Sequence, residues 1–117
     1  MKSEVHVHEH VTVIELSGKV MGGPDATLFH GLVQENLGRG SRDFVIDLEH
    51  VDWVNSVGLG MLIAAQLTVQ RAGGRIVLAN VTNIESLLTI TRLITVVETF
   101  DSQDQALAAL QSGCKVI

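Results

Sequence analysis

Three short runs of aliphatic residues, Val11–Leu16 (VTVIEL), Phe44–Leu48 (FVIDL) and Arg75–Ala79 (RIVLA), are separated by stretches in which apolar residues recur every three or four positions. The runs have the length of strands and the stretches have the period of helices. Strands joined through helices pair in parallel by crossover connections, so the alternation points to an α/β layer structure. Glycine and proline punctuate it. Pro24 suits the first turn of a helix, and Leu28, Leu32, Val33 and Leu37 then keep helical spacing up to Gly38. A second helix is expected from Ser56 to Ala72, stopped by Gly73 and Gly74.

The remaining elements are shorter. Val5–His10 alternates valine with histidine or glutamate and reads as a strand ahead of Val11–Leu16, which Ser17-Gly18 should end. Phe44–Leu48 should give way to a polar loop over Glu49–Asn55. Ile84, Leu87, Leu88 and Leu93 suggest a helix over 83–93, and Thr95–Val97 a short strand. Ser102 with Gln105 three residues later is a capping-box pattern ahead of a last helix over Ala106–Leu110. The expected fold is thus α/β: one domain over 1–117, with a mixed central sheet of 4–5 strands and about four helices.

Composition narrows the function classes. Val, Leu and Ile make up 38 of 117 residues, which excludes a disordered chain. The formal net charge is −5 and there are no Tyr, one Trp and three Phe, so the basic, aromatic footprint of a nucleic-acid binder is missing. One cysteine, Cys114, excludes an internal disulfide and a multi-cysteine metal site. MKSEVHVHEH has no apolar signal core, and the longest apolar stretch without charge or amide, Val57–Ala65, is far shorter than a membrane span. A cytoplasmic location is expected.

Catalytic motifs are scarce. Gly58-Leu59-Gly60 has Ile63 where a dinucleotide fingerprint needs its third glycine, and no P-loop, GxSxG or HExxH occurs. No cofactor and no enzymatic activity are expected. His6, His8 and His10 would share one face of a strand, but a polar face turned to solvent accounts for them better than a metal site does. His30 and His50 read as surface residues.

The most informative stretch is Asp43–Ala72. Asn55 and Ser56 are both favoured helix N-caps, and one of them should cap the second helix. Gly58 and Gly60 then fall in its first two turns, where each costs about 1 kcal/mol relative to alanine. Backbone must come close there, from another element or from a partner. The helix is also apolar on two sides. Leu59, Leu62, Ile63 and Val69 can face the sheet, while Val57, Met61, Ala64 and Thr68 point the other way and suggest a docking face.

From Val11 to Leu110 the chain resembles the STAS-domain proteins of the anti-sigma factor antagonist type. The resemblance is most specific over Val45–Leu62, where Asn55-Ser-Val-Gly-Leu-Gly-Met-Leu62 is similar to the family's D-S-S/T-G-L-G-x-L. Gln70–Leu78 adds a second match to the family's turn and strand after that helix. The resemblance implies a binding module whose serine, here Ser56, is phosphorylated by a partner that is both anti-sigma factor and serine kinase of the ATPase-kinase fold. A phosphatase would restore it. The unmodified form would sequester the partner and free a sigma factor. The implied docking residues include Asn55, Val57, Gly58, Gly60 and Met61. Met21 and Asp25 join them from the earlier loop. Asn55 stands where the family usually has Asp, and Gly18-Lys19-Val20-Met21 stands where it tends to show G-E-L-D. Alternatives within the family are a subunit of a stressosome-like or lipid-transporter assembly, or a small-ligand or nucleotide-binding domain.

Overall fold

The computed structural model describes residues 2–8, 10–80 and 98–112. Five strands form one sheet in the order β1-β2-β3-β4-β5: β1 (Lys2–His8), β2 (Val11–Val20), β3 (Asp43–Val54), β4 (Arg75–Ala79) and β5 (Glu98–Phe100). β1 and β2 form an antiparallel hairpin, and every other neighbouring pair is parallel. Three helices are described: α1 (Pro24–Gly38), α2 (Ser56–Arg71) and α3 (Gln103–Ser112). The expected mixed sheet is present. The helix expected over 83–93 and the strand over 95–97 lie outside the described residues.

Strand parity divides the core in two. Ile14, Leu16, Phe44, Ile46, Leu48, Ile76 and Leu78 face one side, where they pack with Phe29 and Val33 of α1 and Leu59, Leu62 and Val69 of α2. Val11, Val13, Val45, Val77 and Ala79 face the other side and meet Ala106 and Leu110 of α3. Strands covered on both faces read as continuous apolar runs. That is why Phe44–Leu48 and Arg75–Ala79 lack alternation. Helices therefore flank both faces of the sheet, and the α1/α2 side is the larger core.

Two strands outrun their expected ends. β2 continues through Ser17 and Gly18, with register shifts against β3 between Glu15 and Ser17 and between Gly18 and Lys19. Gly18 takes φ +84°, which lets the strand bend at a bulge without stopping. β3 continues through Glu49–Val54, where a polar loop was expected, because Val51 and Val54 are buried and Val51, Trp53 and Val54 pair with Gly18, Lys19 and Val20. The paired extension carries the chain directly to the start of α2. At the far end, Ser102 Oγ accepts from Gln105 N at 3.1 Å, as the capping pattern predicts. The return bond is slipped by one residue, since Gln105 Oε1 accepts from Asp101 N at 3.3 Å.

Candidate functional site

The candidate site is the junction where β2 and β3 end and α1 and α2 begin. Its centre is the start of α2. Asn55 has an extended backbone and is the N-cap, its Oδ1 accepting from Gly58 N at 2.7 Å. The Asn55 carbonyl accepts from Leu59 N at 2.9 Å, and its own N–H donates to Val20 O at 3.2 Å. One residue thus both caps α2 and ties it to the end of β2. Ser56 follows as the first helical residue and is exposed. Because Asn55 is the cap, the Ser56 hydroxyl is not needed for that purpose. No acidic side chain occupies the first turn. The positive end of the helix dipole therefore has no carboxylate of its own helix beside it.

The two helical glycines serve different ends. At Gly58 a Cβ would run into the Val20 carbonyl oxygen. Only glycine lets the first turn of α2 lie so close to β2. At Gly60 a Cβ would meet nothing within 4 Å, and the residue is exposed. The fold explains Gly58 and leaves Gly60 open to solvent.

The loop after β2 completes the junction. Gly22 has φ +84°, and a Cβ there would collide with the Val57 side chain. The loop therefore packs beneath Val57, which still remains 58% exposed. Met21 stands exposed on the same loop. Asp25, in the first turn of α1, is half-buried. Met21, Gly22, Val57 and Gly58 are thus brought to one end of the sheet. Exposed Trp53 (46%) lies at the end of β3, a position the sequence reading passed over because it was assigned to a loop.

The outward face of α2 needs correction. Met61, expected on it, is 7% exposed and belongs to the α1/α2 core. Ala26, Thr27 and His30 of α1 line a shallow groove of about 330 Å³ with Met61 and Ala64. Gly58, also expected at the docking surface, is buried. The physical reason is that α2 packs against α1 as well as against the sheet, so its buried arc is wider and turned toward Met61. The exposed line runs through Ser56, Gly60 and Leu67, with Val57 and Ala64 beside it and Ile63 half-buried. At about 100° per residue these lie roughly 70° from the direction the periodicity suggested. Leu67, 48% exposed, is the residue that reading missed. Its signal was its spacing of seven residues from Gly60.

The histidines do not converge. His6 and His8 share a face, their rings 6.5 Å apart. His10 turns away, its Nε2 3.4 Å from Asp43 Oδ2 and 3.3 Å from Leu110 O. His30 and His50 are exposed, as expected.

Comparison with known proteins gives a family and a fold. The family model described as "Mlab, STAS domain" matches residues 3–99. A search of curated proteins finds no significant match. Among solved structures, the chain is similar to a putative anti-sigma factor antagonist from Thermotoga maritima (TM-score 0.80, 20% identity, covering 94% of this chain and 95% of that one). It is also similar to the Bacillus cell-fate determinant SpoIIAA in its phosphorylated form (TM-score 0.75, 13% identity, 93% and 99% covered). A sulfate transporter family protein from Wolinella succinogenes shares the fold as well (TM-score 0.67, 18% identity, 91% and 88% covered). No described helix is long and apolar enough to cross a membrane.

Proposed function

Because the chain belongs to the STAS domain family, we propose that it works as an anti-sigma factor antagonist, a binding module and not an enzyme, controlled by phosphorylation of Ser56. The observation that carries this reading is the division of labour at the start of α2: Asn55 is the cap, which leaves the adjacent Ser56 exposed for modification. The fold likeness to a protein known in a phosphorylated form supports it. The docking surface is the exposed line Ser56, Gly60 and Leu67 with Val57, flanked by Met21. Gly60 supports this placement, since nothing among the described residues calls for a glycine there. The partner is an anti-sigma factor with serine-kinase activity, and a phosphatase reverses the modification.

Ser56 phosphate would carry about −1.5 to −2 charges and sit at the N-terminus of α2, where the helix dipole tolerates an anion. Against an apolar partner surface that charge must be desolvated, at a cost of several kcal/mol, enough to remove a micromolar complex. Asn55 in place of a carboxylate lowers the negative charge beside the acceptor, so Asn55→Asp should speed phosphorylation by a kinase that expects one.

The test is a titration of the co-purified partner against wild type, Ser56→Ala and Ser56→Asp. Ser56→Ala should bind as the unmodified protein does, and Ser56→Asp should lose at least part of the affinity. Equal affinity for all three would sink the switch. The fold likeness to a sulfate transporter family protein supports a second reading, a STAS subunit of a transporter assembly. Recovery of a transporter ATPase in place of a kinase-fold ATPase would decide for it.

A further inference from the structure

On the sheet face that α3 partly covers, opposite the α1/α2 core, the β1–β2 hairpin brings two carboxylates and an imidazole together. Glu4 and His6 are two apart on β1 and share a face. The antiparallel register sets Glu4 opposite Glu15 and His6 opposite Val13. His6 Nε2 lies 3.6 Å from Glu15 Oε1 and 3.8 Å from Glu4 Oε2. All three ligand atoms fall within 4.8 Å of one another. Around a tetrahedral zinc ion with bonds of about 2.0–2.1 Å, ligand atoms stand roughly 3.3 Å apart. The imidazole side is thus within a few tenths of an ångström of closure, and Glu4, which is exposed, is free to swing in.

Two further observations point to a cation. Glu15 is braced: its Oε2 accepts from Gln103 Nε2 at 2.8 Å, and the same amide donates to the buried Asp47 at 2.7 Å. The brace comes from the first residue of α3, a separate element, and leaves Oε1 turned toward His6. Ligating carboxylates are characteristically held this way by outer hydrogen bonds. In addition, Glu4 and Glu15 are like charges directly opposite on adjacent strands, an arrangement that destabilises a hairpin. A divalent ion between them reverses the sign of that interaction.

We propose that Glu4, His6 and Glu15 form a binding site for a zinc-class divalent cation, with Gln103 as its positioning residue. An imidazole with two carboxylates suits Zn²⁺ or Co²⁺, whereas an all-oxygen set would suit Ca²⁺ or Mg²⁺. Three protein ligands leave a fourth position for water. The ion would fasten the edge strand β1 to β2. It has no part in docking at α2.

The experiment is calorimetric titration of the full chain with ZnCl₂ at neutral pH, with CaCl₂ in parallel, and Co²⁺ absorption to read the coordination. One saturable Zn²⁺ site, a four-coordinate Co²⁺ spectrum and a raised Tm with Zn²⁺ are expected. His6→Ala and Glu15→Gln should each weaken Zn²⁺ binding more than tenfold, and Gln103→Ala about tenfold. Glu4→Gln, at an exposed position that cannot upset folding, should weaken it also. His10→Ala should leave it unchanged. The site is overturned if Zn²⁺ gives no saturable binding, if binding survives His6→Ala and Glu15→Gln, if His10→Ala abolishes it, or if Ca²⁺ binds equally well.

Discussion

At the scale of single residues, the two glycines of α2 make opposite demands that substitution to alanine exposes. Gly58→Ala pushes a methyl group into the Val20 carbonyl, a backbone atom that cannot step aside. The first turn must then shift off β2, and a loss of about 1–3 kcal/mol is expected in denaturant unfolding. Gly60→Ala meets nothing and gains helix propensity, so stability should rise by up to about 1 kcal/mol. If Gly60 belongs to the docking line, the same substitution should weaken partner binding while stabilising the protein. Met61 and Leu67 form a second contrast. Met61→Glu buries a carboxylate between α1 and α2 and should cost several kcal/mol. Leu67→Glu lies on the exposed line and should change stability by less than about 0.5 kcal/mol while weakening partner binding. A Tm equally depressed in both variants would move Leu67 into the core.

At the scale of elements, what could be read in the sequence was whatever local chemistry decides. α1 begins at Pro24 and ends at Gly38, and β4 spans Arg75–Ala79, as their punctuation and apolar pattern predict. The extensions of β2 and β3 were not legible, because the pairing of Gly18 with Val51 and of Lys19 with Trp53 is a tertiary fact. Glu49, His50 and Asp52 look like loop residues, yet they ride outward on a paired strand. The start of α2 was legible to within the choice of cap, and geometry assigns it to Asn55. Its outward face was not, since helical period alone gives no sign that α1 covers the Met61 side. The last strand depends on a long-range ion pair of the same kind. Arg75 Nε and Nη2 donate to Glu98 at 2.8 and 2.6 Å and clamp β5 to β4. The hydrogen bond from Arg75 holds the Glu98 carboxyl below its ordinary value of 4.5, and the bond to Glu98 raises Arg75. A lowered carboxylate pKa contributes stability above its unfolded value, and that contribution is lost as pH falls through the folded one. Wild type should therefore exceed Glu98→Gln by about 0.2–1 kcal/mol at neutral pH, the range of a solvent-screened pair. The gap should begin to close as pH falls past the ordinary value of 4.5 and vanish below the folded pKa. A gap that persists unchanged at low pH would mean that packing of the side chain, and not the ion pair, holds β5.

At the scale of the whole molecule, the sheet separates two kinds of duty. The α1/α2 face holds the larger core, and its helix starts gather at one end of the sheet, where Ser56, Val57 and Met21 are exposed. The opposite face carries α3 and the polar cluster of Glu15, Asp47 and Gln103. A phosphate on Ser56 would stand at an edge of this assembly and not in its interior, so it would add charge without displacing packed atoms. The net charge would move from −5 to about −6.5 to −7. Electrostatic self-repulsion of that size is small, and the α2 dipole offsets part of it locally. Phosphorylated protein should thus keep the circular dichroism spectrum of the unmodified form and a Tm within a few degrees of it, while its affinity for the partner falls by two orders of magnitude or more. Backbone hydrogen exchange is the sharper measurement. Among the described residues, protection should change at the first turn of α2 and the loop at Met21–Gly23, which pack together beside the modified hydroxyl. A loss of protection reaching β3 or α1 would show that phosphorylation loosens the core, and the switch would then be a refolding, not a change of surface charge.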